Sequence, residues 1–122
     1  MPSVLITGAS RGIGHAAAKA FAEAGWDLLL VSRSEAALQS LESELSASGV
    51  RVAYRAIDLT DSSAIAPGID ELLNQGLRPS VLINNAGAAW TGELLEMPLD
   101  RWDWLIQLNL TSVIQVCSVV VP

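Results

Sequence analysis

The eight residues TGASRGIG, Thr7 to Gly14, follow a short aliphatic run and carry three glycines in the spacing G-x-x-x-G-x-G. This differs from the commoner dinucleotide fingerprint G-x-G-x-x-G, but each glycine has a physical use in a strand-to-helix turn. Gly8 permits a sharp turn after the strand. Gly12 lets backbone amides come close to a bulky anion, and Gly14 lets the following helix lie close against the sheet. The helix N-terminus then offers unpaired N–H groups and a positive dipole end, which suit a pyrophosphate. Ser10 adds a hydroxyl or caps the helix. The plain alternative is a glycine-rich turn that binds nothing.

Two arginines bear on which dinucleotide such a loop would take. Arg33 stands at the end of a second aliphatic run, DLLLVS, with no acid at that tip, and Arg11 lies inside the glycine loop. In Rossmann-type sites an acid about 20 residues on holds the ribose 2′-OH of NAD, whereas an arginine accommodates the 2′-phosphate of NADP. Two guanidiniums can grip a phosphate dianion bidentately, so the pair favours NADP over NAD. Glu35 is a competing acid, but its place in the first turn of the next helix suits the helix dipole.

Three further polar positions stand out. Asp58, in IDLTD, ends a third aliphatic run, where Asp61 or Thr60 is also suited to cap a helix. NNAG, residues 84–87, ends a fourth run, and Asn84 and Asn85 can bridge backbone groups of neighbouring strands. Asn109 interrupts the apolar stripe of the last helix. A buried amide must find partners or cost a few kcal/mol, so a bond to a backbone carbonyl or a helix irregularity is one account of it.

The elements that would position these residues alternate in kind. Continuous apolar runs at SVLIT (3–7), DLLLVS (27–32), VAYRAI (52–57) and SVLINN (80–85) suit strands covered on both faces. Between them lie helical stripes: Ile13, Ala17, Ala20, Phe21 and Ala24, ended by Gly25; and Leu38, Leu41 and Leu45, with Ser34 as N-cap and Gly49 beyond. A third stripe of Ile65, Ile69, Leu72 and Leu73 contains Pro67, so its regular helix is expected to begin there. From Pro98 onward Trp102, Leu105, Ile106, Asn109, Val113, Val116, Cys117 and Val120 recur at three and four. The order predicts one α/β domain over residues 1–122, a Rossmann-type doubly wound parallel sheet. Its four strands are expected in the order 3-2-1-4, with helices on both faces.

Composition narrows the function. A net charge of −6 and a pI near 4.5 speak against a nucleic-acid binder, which needs a basic face. A single cysteine, Cys117, allows no internal disulfide, and no Cys/His cluster suggests a metal site. No basic N-terminal signal is visible. No segment approaches the roughly 20 apolar residues of a membrane span, because VIQVCSVVV is short and broken by Gln115 and Ser118. A cytoplasmic protein without membrane contact is expected. His15 reads as a solvent-side residue and Cys117 as core. Trp102 and Trp104 read as packing or subunit contact, and Trp90 and Thr91 as pocket lining or plain surface loop.

TGASRGIG, NNAG, Asp58 in DLT and Asn109 in NLT together resemble the short-chain dehydrogenase/reductase family over the whole chain. The resemblance implies cofactor contacts at Gly8, Ser10, Arg11, Gly12, Ile13, Gly14, Arg33, Asp58, Leu59, Asn85, Ala86 and Gly87. Asp58 would meet the adenine amino group, and Asn85 to Gly87 would run along the ribose. Asn109 would belong to a catalytic tetrad, holding a water in a proton relay. The implied substrate is a small carbonyl or alcohol, and the implied assembly a homo-oligomer packed through the last helix. The family's Ser and Tyr-x-x-x-Lys have no match here: the only tyrosine is Tyr54, in the third strand, and the only lysine is Lys19, in the first helix. Without that phenol no general acid protonates a carbonyl oxygen. The expectation is therefore the N-terminal half of an NADP-dependent oxidoreductase, inactive alone, with the remaining residues beyond position 122. The alternative is a non-catalytic dinucleotide-binding or interaction module, which would leave a sheet edge and a helix face exposed.

Overall fold

Residues 2–89 and 92–122 are described in a computed structural model of the chain. Strands β1 (Ser3–Thr7), β2 (Asp27–Ser32), β3 (Val52–Ala56) and β4 (Val81–Ile83) form one parallel sheet in the order β3-β2-β1-β4. They alternate with α1 (Gly12–Glu23), α2 (Glu35–Ser46) and α3 (Ser62–Leu73). After β4 come a short 3-10 turn, Leu94–Glu96, then α4 (Leu99–Ile106), a π-helical turn, Gln107–Thr111, and α5 (Ser112–Val120). This is the expected doubly wound arrangement.

Strand parity distributes the core. Successive side chains of a strand point to opposite faces. Leu5, Leu29 and Val31 accordingly pack with Ile65, Ile69, Leu72 and Val116 of α3 and α5. Val4, Ile6, Leu28 and Leu30 pack with Ala18, Ala22, Leu38, Leu41 and Leu45 of α1 and α2. Ser34 caps α2, its hydroxyl accepting from the Ala37 amide at 3.1 Å. Asp61 caps α3 by accepting from the Ser63 amide.

Three expectations about the helices change. In α1 the buried line is Gly14, Ala18 and Ala22, one position round from the predicted stripe, and Ile13 is 80% exposed. At the first turn only glycine fits, since a β-carbon on Gly14 would meet the Gly8 carbonyl oxygen, and that contact sets the inward line. Helix α3 starts at Ser62 rather than Pro67. The Asp61 cap secures its first turn, and exposed Pro67 leaves only one carbonyl without its helical donor. Gly68 beside it packs closely on Ile57: a β-carbon there would come 2.7 Å from Ile57 Cδ1, so that side chain would have to shift.

The last helix is continuous from Leu99 to Val120, 22 residues with a mean hydropathy of 1.2 over its most apolar stretch. By length and composition alone it reaches the size of a membrane span, contrary to the expectation, because Gln115 and Ser118 do not interrupt the helix. In the fold it packs along α3. A π turn carries an extra residue, and so shifts the buried face. The inward line runs through Leu108, Ser112 and Val116, which leaves Asn109 exposed rather than buried.

Candidate cofactor-binding site

A cavity of about 530 Å³ opens where the strands of the sheet end, beyond Thr7, Ser32, Ala56 and Ile83. This is the end at which open α/β sheets bind ligands, beside the point where strand order reverses. Gly8, Ser10, Arg11, Gly12, Arg33, Asp58, Leu59, Asn85, Ala86 and Gly87 all line it. Ile13, Gly14 and Asn109 do not, although Ile13 and Asn109 adjoin Gly12 and Leu108, which do, and Gly14 packs against Gly8 and Asn85.

The glycine loop is held from beneath. Gly8 has φ +64°, and a β-carbon on it would lie 2.9 Å from Ala86 Cα. A β-carbon on Gly14 would lie 2.1 Å from the Gly8 carbonyl oxygen and 2.6 Å from Asn85 Nδ2, so helix α1 rests directly on the loop. The Asn85 side chain donates to that same Gly8 carbonyl at 3.1 Å. Thr7, buried at the end of β1, accepts from the amides of Asn85 at 3.1 Å and Ala86 at 3.0 Å. Asn85 and Thr7 thus stitch the loop after β4 to the loop after β1. Asn84 takes a lesser part, its amide 3.6 Å from Cys117 Sγ.

Above these contacts the site is open. Gly12 (φ +59°) has nothing within 4 Å of where its β-carbon would stand. Arg11 occupies the N-cap position of α1 without a side-chain cap bond. Ser10 does not cap the helix either, because its hydroxyl accepts from Ser32 Oγ at 2.9 Å across to β2. The first amides of α1 therefore have no capping side chain, which is the condition for holding an anion at a helix N-terminus. The residues present fit a nucleotide phosphate.

At the far wall the Asp58 carboxylate accepts from the Thr60 hydroxyl at 2.6 Å and the Thr60 amide at 2.9 Å. Those two bonds, hydroxyl first, and to a smaller extent the charge of Arg33, hold its pKa below the ordinary value against a weak opposing effect of burial. The carboxylate stays charged and available as an acceptor.

Asn109 holds the opposite lip. Its Oδ1 accepts from the Ala88 amide at 2.9 Å, and its Nδ2 donates to the Ala88 carbonyl at 2.7 Å. The amide bridges both backbone groups of one loop residue, and it does so from within the π turn. A β-carbon on Gly87 would meet Asn109 Oδ1 at 2.8 Å. Both structural accounts of Asn109, a backbone bond and a helix irregularity, hold together.

Sequence reasoning passed over Thr7 and Ser32; their signal was a small hydroxyl at the end of a buried strand. Trp104 lines the cavity wall and carries the Arg101 guanidinium 4.7 Å from its ring centroid. His15, half-exposed on α1, faces Glu44 of α2 at 3.4 Å and lies away from the cavity. Trp90 and Thr91 lie outside the described residues.

The family model described as short chain dehydrogenase matches residues 2–122. The chain belongs to the short-chain dehydrogenases. It is 41% identical over 120 residues to sulfoacetaldehyde reductase 2 of Chromohalobacter salexigens, covering 98% of this chain and 47% of that protein. A short-chain dehydrogenase from Sphingobium yanoikuyae, solved with NADPH, superposes with a TM-score of 0.89 at 39% identity, over 98% of this chain and 47% of that one. An alcohol dehydrogenase from Thermococcus sibiricus, solved with 5-hydroxy-NADP, gives 0.94 at 31% identity, over 99% and 52%. The chain spans about half the length of the relatives it matches, and the matched half is the N-terminal one.

Proposed function

We propose that this chain is the NADP-binding half of a cytoplasmic oxidoreductase acting on a small carbonyl or alcohol. The observation that carries the cofactor choice is the pairing of Arg11 and Arg33 on the rim of one cavity, with no acid at the tip of β2. The helix amides above Gly12 would take the pyrophosphate, Asp58 the adenine edge, and Asn85 to Gly87 the ribose. Ser10 and Leu59 would add contacts along the way; Ile13 and Gly14 would act by placing the first turn of α1. The bound nicotinamide would supply or accept hydride.

For Asn109 we propose the water-holding place in the proton relay, supported by its rigid placement beside Gly87 and Ala88. The residues here bind and position; none is placed to donate the proton, since Tyr54 lies in β3 and Lys19 in α1. The outward side of the last helix, with Ile106, Leu110 and Ile114 exposed, supports a homo-oligomer assembled through that helix.

Titrating the 122-residue chain with NADPH and NADH, followed by ligand fluorescence, tests the assignment. NADPH is expected to bind at least about tenfold tighter, the worth of one charge-assisted contact to a phosphate. Arg33→Ala is expected to remove most of that preference while leaving NADH binding unchanged. Tighter binding of NADH would overturn the NADP assignment, and turnover of NADPH with a panel of carbonyls would overturn the claim that no acid is present.

A further inference from the structure

Two amides on the last helix reach the adenine side of the cavity without touching it. Gln107, the first residue of the π turn, donates through Nε2 to the Leu59 carbonyl at 3.3 Å and to Gln115 Oε1 at 3.0 Å. Gln115, two turns on, donates to the Ser62 hydroxyl at 2.8 Å and the Ser62 carbonyl at 3.3 Å. The relay thus ends on the Leu59 carbonyl, in the segment joining β3 to α3, and on Ser62, the first residue of α3; of that segment Asp58, Leu59 and Thr60 line the cavity. That segment is held from inside by the Asp58–Thr60 turn and from outside by this amide relay. The same π turn holds the opposite lip through Asn109 and Ala88. One irregular stretch of helix therefore grips both walls of the site.

We propose that Gln107, supported by Gln115, is a positioning residue for the adenine pocket: it sets the Asp58–Thr60 wall against the base. The proposal rests on the reading that this cavity holds a dinucleotide. Gln107→Glu keeps the shape but replaces the donor with a charged acceptor facing the Leu59 carbonyl, and Gln107→Met keeps the length without polarity. A lone carbonyl left without its donor tilts away toward solvent, and the wall moves with it.

The test titrates the 122-residue chain by calorimetry with two probes, adenosine 2′,5′-bisphosphate and inorganic pyrophosphate. The first reads the adenine wall, the second only the glycine loop. Gln107→Glu and Gln107→Met are expected to weaken the adenosine bisphosphate about fivefold, the equivalent of one neutral hydrogen bond, and to leave pyrophosphate within twofold. Gln115→Met, acting at one remove, is expected to give a smaller loss on the same probe, and Gln39→Leu, at an exposed position of α2, none. Equal weakening of both probes would mean a merely structural role and overturn the proposal. So would unchanged affinity for the adenosine bisphosphate in a wild-type chain that binds it. A wild-type chain that binds neither probe would instead sink the dinucleotide reading itself, and this inference with it. Should Gln107→Glu not fold, Gln107→Met alone decides.

Discussion

The β1–α1–β2–α2 region and the β4–α4–α5 region are written in the same alternation of aliphatic strand and apolar helix stripe, yet they are finished differently. Every residue of β1 and β2 is buried, and Ala18, Ala22, Leu38, Leu41 and Leu45 seal the face above them. β4 has three residues, lies at the sheet edge, and leaves Val81 exposed. The last helix buries Ser112 and Val116 but shows Leu99, Ile106, Leu110 and Ile114 to solvent. An apolar stripe states that a helix face can be buried. Whether it is buried depends on a neighbour, and the first region supplies its own while the second does not.

The largest effect expected from this comparison lies in a pair of leucines. Leu30→Ala in β2 opens a cavity beneath the face sealed by α1 and α2 and should cost about 2–5 kcal/mol. Leu110→Ala on the outward side of the π turn should change stability by less than about 0.5 kcal/mol. Urea unfolding of both variants measures the difference, and comparable losses would dissolve the contrast between the regions.

Gly14→Ala probes the sealed region at its tightest point. The added carbon meets the Gly8 carbonyl, so the helix must lift from the loop, at a cost of about 1–3 kcal/mol for overpacking. Because the same loop would cradle phosphate, pyrophosphate affinity should fall with stability. A variant with wild-type unfolding midpoint would show that α1 has room to spare.

The smallest effect concerns Asp58. Its folded pKa is lowered by Thr60 and Arg33, so the stabilisation is present above the ordinary value of 3.8 and is lost as pH falls through the lower folded value. The group is well solvated, and screening keeps the contribution below about 0.5 kcal/mol. Unfolding of wild type and Asp58→Asn should differ slightly at pH 6 and converge in strong acid. A difference that grows on acidification would reverse the sign.

The strands were legible because each is a short, unbroken aliphatic run, and runs of that kind are needed only where a sheet is covered on both faces. The Ser34 and Asp61 caps and the terminal Gly25 and Gly49 were legible for local reasons, since each satisfies or permits backbone next to it in the chain. The face of α1 was misjudged at Ile13 because alanines fit both sides of a helix, and only the closeness of Gly14 to Gly8 chooses between them. Helix α3 starts upstream of Pro67 because that strong local signal is outweighed by the Asp61 cap six residues earlier. Asn109 was rightly singled out as an oddity, but burial was the wrong reason for it. Gln107 gave no warning, and Gln115 stood out only as a polar break in VIQVCSVVV, because glutamines on a helix have no spacing rule that distinguishes a solvated amide from one reaching another element.

The sequence by itself determined the element order, the parallel sheet and the place of the glycine loop, because those depend on periodicity and on residues adjacent in the chain. Only the tertiary structure decided which loops meet. Thr7 reaches Asn85 and Ala86 from 78 and 79 residues away, Asn109 grips Ala88 from 21 and Gln107 the Leu59 carbonyl from 48. Hydrogen-bonding groups have short range and no memory of sequence separation. Their partners exist only once the sheet order has brought the four strand ends to one side.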